Sequence, residues 1–161
     1  MAVRRHPMAT QASTGALDRV PLDAELVARL HATYEVVRSQ EVRFAETFYA
    51  KLFAAAPHLR RMFPNDLVEQ ANKLTAALDA VVQNFENPAA NAATLADLGR
   101  RHAGYGARPE HYDLVVDLLI ESMRELGGTA IDEVRLQEWH RALQLISQQM
   151  IAAAASPKPS P

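Results

Sequence analysis

One histidine in this chain has the setting of a metal ligand. His102 follows Leu95 and Leu98 at helical spacing, so it shares their apolar stripe and is expected to point into the protein. Such a histidine is either a hydrogen-bonded part of the core or a ligand, because neutral imidazole is the usual axial ligand of haem iron. A ligand histidine also needs an acceptor that fixes its tautomer.

Two further polar side chains lie within apolar surroundings. Tyr49 is flanked by phenylalanines and a leucine, and a buried tyrosine hydroxyl needs a hydrogen-bond partner. Gln70 lies one helical turn before Leu74, so the two share a helix face. Taken singly, Tyr49 could make a structural hydrogen bond and Gln70 could lie on the surface. Taken together, they are candidates for a polar pair in an apolar pocket.

The elements that must position these residues are helices. Apolar residues recur with helical periodicity and predict an all-α protein of about six main helices, plus a short helix that begins at Pro57. Asp66 is expected to open the third main helix, Asn87-Pro88 to end it, and Thr129 to cap the last. The fourth helix, which carries the histidine, is expected to be shorter than the third. Periodicity alone leaves a helical bundle and a globin equally open.

Length and composition narrow the class of protein. The 161 residues fit one domain, predicted over 22–155, between disordered tails at 1–21 and 156–161. A net charge of −2 gives no reason to expect nucleic acid, and the absence of cysteine excludes a disulfide scaffold and thiolate metal sites. No apolar run approaches the ~18 residues of a membrane span, and no signal peptide is visible. We therefore expect a cytoplasmic protein that binds neither membrane nor nucleic acid.

Four ordered segments carry a family resemblance. They are FYAKLFAAAPHLRRMF, VEQANKL, VVQNFENP and LGRRHAGYGARPEHY, and each one alone would be a weak signal. In this order and at this spacing the chain resembles the bacterial single-domain globins and the haem domain of flavohaemoglobins, over about residues 22–151. The resemblance implies a globin fold of about six main helices that holds haem b between the helices of Gln70 and His102.

The resemblance also implies a role for each matched position. His102 would be the proximal iron ligand, Tyr49 and Gln70 would form the distal polar pair that contacts bound gas, and Leu74 would wall the gas pocket. Two further matched positions would contact the haem or support its ligand: Phe63 would stack on the porphyrin, and Tyr112 would join the proximal network. Apart from the resemblance, Lys73, Arg60 and Arg101 could reach the propionates, although solvated positions are more common for such side chains.

One departure from flavohaemoglobins bears on the activity. Their proximal network includes a glutamate late in the last helix, whereas an ungapped alignment places Ala154 there, and no acidic residue follows Glu138. A carboxylate at that position would make His102 more basic and favour oxygen activation. Its absence favours reversible binding of oxygen, carbon monoxide or nitric oxide by a five-coordinate iron, for storage, delivery or gas buffering.

The alternative is enzymatic. Nitric oxide dioxygenation would use the same Tyr49–Gln70 pair, but it leaves ferric iron and so needs an electron donor, which here would be a separate reductase. The sequence leaves open whether the protein is an enzyme. It also leaves open whether the protein is a monomer or a homodimer.

Overall fold

Residues 23–156, described by a computed structural model, form six α helices and two short 3₁₀ helices, with no β-strand among them. The all-α prediction, including the short helix after Pro57, is confirmed. None of the helices in this range is long and apolar enough to cross a membrane. The helices are α1 (Ala24–Arg38), α2 (Glu41–Ala55), α3 (Leu67–Gln83), α4 (Pro88–Gly104), α5 (Pro109–Gly127) and α6 (Glu133–Ala155), and the 3₁₀ helices are Pro57–Met62 and Gly128–Ala130. The tail predicted at 1–21 lies outside the described residues, as do 157–161 of the other tail.

The start of α3 follows the sequence prediction, but the start of α4 does not. Asp66 caps α3, and its carboxylate accepts a hydrogen bond from the main-chain N–H of Val68. Asn87 caps α4, whereas the sequence had assigned it to the end of α3, which stops at Gln83. Pro88 takes the first position of α4, where no N–H donor is needed. With this start, α4 has 17 residues, as many as α3, so the predicted shorter helix is wrong.

The cap predicted for the last helix is also wrong. Gly128 has a φ of 51°, and the chain from Gly128 to Ala130 forms a 3₁₀ turn that holds Thr129 away from the start of α6. Asp132 caps α6 instead, and its side chain accepts a hydrogen bond from the N–H of Arg135. A short turn of this kind leaves no signal in the hydrophobic pattern.

The core is centred on α6 and on the helices that pack around it. Trp139 of α6 is buried, and its indole N–H donates to the carbonyl oxygen of Leu30 in α1, at 3.3 Å. Phe44 of α2 and Met123 of α5 are completely buried beside them. The apolar faces of the helices are thereby removed from water, which is the main stabilising contribution to such a fold.

The contact between α4 and α6 places the histidine helix. Gly99 lies against the main chain of Met150: a Cβ on Gly99 would overlap the Met150 carbonyl oxygen and lie 2.8 Å from its carbon. Only glycine allows two helices to approach this closely. His102 lies about one turn further along α4, so this close contact helps to fix the position from which its imidazole extends.

We expect Gly99→Ala to destabilise the protein. The added methyl group meets backbone, which cannot rotate away, so α4 and α6 must separate at a cost of about 1–3 kcal/mol. Gly104→Ala is the matched control, because it lies in the last turn of the same helix and its Cβ would meet nothing within 4 Å. Urea unfolding should show the loss for Gly99→Ala only. Equal stability of the two variants would contradict the close contact.

Candidate functional site

The imidazole of His102 is held by the main chain of its own helix. Its Nδ1 lies 2.8 Å from the carbonyl oxygen of Leu98, one turn earlier. A carbonyl oxygen only accepts, so Nδ1 carries the hydrogen and donates it. Nε2 is then left with its lone pair, which is the tautomer that a metal ligand requires.

His102 does not point into the core as the sequence predicted. The buried face of α4 consists of Leu95 and Gly99, which α6 covers, whereas His102 in the last turn is exposed. Helical periodicity identifies residues on one face of a helix, but the position of the neighbouring helix decides which of them are buried. The exposed imidazole is therefore accessible from outside the chain.

Two tyrosines lie beside this histidine. The ring centroids of Tyr105 and Tyr112 are 6.4 and 6.2 Å from that of His102. Tyr112 is half-buried in α5, and burial raises the pKa of its phenol, so it remains protonated at neutral pH. The structure shows ring contact between His102 and Tyr112, with no hydrogen bond between these two side chains. The part of Tyr112 in a proximal hydrogen-bond network stays a prediction.

The structure brings the predicted polar pair together. Tyr49, in the middle of α2, is 5% exposed, and Gln70 lies in the first turns of α3. The amide Nε2 of Gln70 donates to the Tyr49 hydroxyl oxygen at 3.2 Å. The Tyr49 hydroxyl itself donates to the main-chain carbonyl oxygen of Gln70, and this hydrogen bond is long and therefore weak, at 3.5 Å. The pair therefore presents a phenolic hydrogen that another acceptor can take.

Burial keeps this phenol in its donor form. Desolvation raises the pKa of Tyr49, and the hydrogen bond from Gln70 lowers it by less. The pKa therefore stays above the ordinary value for tyrosine, and the hydroxyl remains protonated at neutral pH.

An aromatic cluster surrounds the Tyr49 ring. Phe63 lies 5.7 Å from Tyr49 and 5.4 Å from Phe53 between ring centroids, both edge to face, and Phe53 lies 5.9 Å from Tyr49. Phe63 follows the 3₁₀ helix in extended conformation and is half-buried. The sequence predicted that Phe63 stacks on the porphyrin, and it indicated no role in the site for Phe53. No spacing signal distinguishes the two, because both belong to apolar segments.

The corner after the first 3₁₀ helix, residues 63–66, begins close to the turn that follows α4, residues 105–108. Gly106 has a φ of 94°, a conformation that favours glycine, and a Cβ there would lie 3.7 Å from the terminal methyl group of Met62. Met62 immediately precedes Phe63, and Gly106 follows His102 by four residues. The two halves of the candidate site thus meet at this edge.

The predicted basic residues are engaged in exposed ion pairs. Lys73 lies 3.8 Å from Glu69, and Arg101 pairs with Asp97, its Nε lying 3.1 Å from the carboxylate. Exposed pairs of this kind contribute little stability, so both cations can exchange partners. Their binding to propionates remains a prediction.

The comparisons with known proteins identify the family. A family model described as Globin matches residues 46–150, which is more than half of the chain. The chain belongs to the globin family. The fold and the resemblance predicted from the sequence are both confirmed.

Curated relatives of this globin are flavohaemoproteins. That of Rhizobium meliloti is 35% identical over 115 residues, covering 69% of this chain and 28% of the relative. Flavohemoprotein A of Dictyostelium discoideum is 29% identical over 137 residues, which cover 84% of this chain and 34% of the relative. The chain therefore spans about a third of the length of these relatives.

A solved structure supports the same assignment. It is a protein from Rhodothermus marinus, provisionally named a nitric oxide dioxygenase and engineered as a carbene transferase, with a TM-score of 0.74. It is 26% identical, and the alignment covers 83% of this chain and 94% of the other. Membership of this family implies haem binding.

The residues present fit a haem group. His102 offers an accessible Nε2 with its tautomer fixed, as an axial ligand requires. Several apolar side chains pack on the core yet remain partly exposed and so are available to an apolar ligand: Phe63 from the corner, Leu74 from α3, Leu98 from α4, and Tyr112 and Val115 from α5. The chain thus provides both a ligand and an apolar surface for the macrocycle.

Proposed function

We propose that this globin binds haem b through His102 and reversibly binds diatomic gases, oxygen first, with carbon monoxide and nitric oxide as further ligands. The observation that carries the proposal is the acceptor on His102, which is the neutral carbonyl oxygen of Leu98. A carboxylate acceptor would make the imidazole more basic and favour oxygen activation. A neutral acceptor favours binding and release.

Each remaining site residue has a part in this proposal. The haem iron supplies the position at which a gas binds. Tyr49 and Gln70 donate hydrogen bonds to a polarised ligand, and Leu74 keeps the pocket apolar, while the ring of Phe63 packs on the macrocycle. On the proximal side Tyr112 packs beside His102, and Lys73 and Arg101 pair with the propionates.

A second function is favoured by the Rhodothermus marinus protein and the flavohaemoproteins. Nitric oxide dioxygenation would draw on the same Tyr49–Gln70 pair. Sustained turnover consumes electrons, so we propose that it would require a reductase as electron donor. We place the protein in the cytoplasm, as a monomer or homodimer.

The visible spectrum of the purified protein tests the proposal. The chain offers Gln70 on the distal side, whose neutral amide is a poor iron ligand, so the ferrous protein without gas should be five-coordinate. Oxygen and carbon monoxide should each bind reversibly, so that removal of the gas restores the initial ferrous spectrum. A six-coordinate low-spin ferrous spectrum without added gas would contradict this assignment.

Nitric oxide consumption separates the two functions. In the absence of a reductase, the 161-residue chain in its oxygenated form should consume about one equivalent of nitric oxide and then stop, because no electron donor reduces the oxidised protein again. Repeated turnover with NAD(P)H and cell extract would contradict gas binding as the main function and would support dioxygenation instead.

A further inference from the structure

One arginine side chain binds the main chain of the corner after the first 3₁₀ helix, residues 63–66. Arg60 is half-buried, and its guanidinium donates to three consecutive main-chain carbonyl oxygens. Nη1 lies 3.3 Å from the oxygen of Phe63 and 3.1 Å from that of Pro64, and Nη2 lies 3.4 Å from that of Asn65. The planar fork of arginine is suited to several acceptors at once, unlike the ammonium group of lysine.

The same guanidinium also touches the distal aromatic cluster. Its central carbon lies 5.2 Å from the ring centroid of Phe53, over the ring face, at a distance typical of a cation–π contact. Phe53 in turn contacts both Tyr49 and Phe63. Arg60 therefore contacts the main chain of the corner and the ring against which the corner residue packs.

Apart from the Arg60 side chain, the corner is held by the Phe63 N–H, which donates to the main-chain oxygen of Arg60 at 3.2 Å, and by the packing of the Phe63 ring. Phe63 is extended, Pro64 has no N–H to donate, and α3 begins only at Leu67. Within the described residues, the side-chain hydrogen bonds to these three carbonyls all come from Arg60. Loss of the guanidinium would remove all three of these hydrogen bonds and so loosen the main chain that sets the orientation of Phe63.

We propose that Arg60 is a positioning residue that sets the orientation of Phe63 and thereby the retention of haem. The inference about haem rests on the proposed function, whereas the clamp on the corner does not. The sequence had grouped Arg60 with residues able to reach a propionate. Its guanidinium is directed to the corner instead.

The chain supplies a matched control. Arg61 is the next residue, is exposed, and its Nε donates only to the carbonyl oxygen of His58, at 3.3 Å. We expect Arg60→Ala to speed transfer of haem to excess apomyoglobin about tenfold, which corresponds to about 1.4 kcal/mol. Arg61→Ala should stay within about twofold of wild type, since exposed polar contacts contribute little. Arg60→Lys should fall between them, because it keeps the charge and loses the fork.

Haem dimethyl ester distinguishes a corner clamp from a propionate ligand. With the ester, the clamp predicts that Arg60→Ala still loses the cofactor faster than wild type by about the same factor. A ratio that falls to one with the ester would overturn the proposal in favour of propionate binding. Equal rates for Arg60→Ala and Arg61→Ala with natural haem would also overturn it.

Hydrogen exchange of the haem-free protein tests the clamp without the cofactor. The main-chain amide of Phe63, which donates to the carbonyl oxygen of Arg60 at 3.2 Å, should exchange faster in Arg60→Ala than in Arg61→Ala, while amides of α6 remain unchanged. Faster exchange at the corner in a protein that takes up no haem would contradict the proposed function and leave the clamp standing. Unchanged exchange at the corner would overturn the clamp itself.

Discussion

His102→Ala is expected to lose haem while the helices persist. Its Nε2 is the one nitrogen that we assign to the iron, and the substitution leaves the buried core in place, because His102 is exposed at the end of α4 and its ring contacts only the partly buried Tyr112 and the exposed Tyr105 among the described residues. Loss of a bond that contributes even about 3 kcal/mol lowers affinity roughly a hundredfold. The ratio of haem absorbance to protein absorbance after purification, and transfer to apomyoglobin, measure the loss. Far-ultraviolet circular dichroism should remain that of the wild type.

Two further variants make the His102 assignment testable in both directions. His58→Ala removes an exposed histidine from the 3₁₀ helix and should leave haem content and spectrum unchanged. In His102→Gly, added imidazole should restore haem binding and a five-coordinate ferrous spectrum, because the free ligand can occupy the vacated position. Wild-type haem content and spectrum in His102→Ala would show that another residue holds the iron.

Tyr49→Phe is expected to speed oxygen release by about ten- to a hundredfold. Oxygen becomes strongly polarised on ferrous haem, and hydrogen bonds to charged groups contribute roughly 1.5–3 kcal/mol, with about 1.4 kcal/mol per factor of ten. The Tyr49 hydroxyl is a suitable donor because it is buried, remains protonated and holds its hydrogen only weakly on Gln70. Carbon monoxide is far less polarised, so its release should change much less. Stopped-flow measurements with both gases give the comparison.

The distal pair also predicts an order of effects. Gln70→Leu should act in the same direction as Tyr49→Phe but more weakly, since an amide donor is less acidic than a phenol. Tyr34→Phe is the matched control: it removes another buried hydroxyl, one that bonds to Asp79 between α1 and α3. That variant should lower stability and leave oxygen release unchanged. Equal effects of Tyr49→Phe on oxygen and carbon monoxide would mean that Tyr49 acts by shape alone.

The sequence could predict those parts of the site that local rules govern. Helical periodicity placed Gln70 and Leu74 on one face, and Asp66 caps α3 because a carboxylate there satisfies a free main-chain N–H. The family resemblance selected Tyr49 and Gln70 as a pair, and the structure brings them within hydrogen-bond distance. Such features depend on neighbours along the chain or on a spacing that can be compared directly.

The remaining features depend on contacts between distant residues. His102 shares a stripe with Leu95, yet Leu95 is buried and His102 is exposed. The requirement for glycine at 99 arises from the Met150 main chain, 51 residues away in the sequence. The sequence predicted Arg60 either as a solvated cation or as a contact of a propionate, and only the fold places its guanidinium over the Phe53 ring and against three main-chain carbonyl oxygens. The sequence by itself determined the all-α class and the approximate places of the six main helices, and it named the side chains that we propose to bind haem and gas. The tertiary structure alone decided which of them are covered, clamped or left accessible, because burial depends on where another helix lies and periodicity carries no record of that.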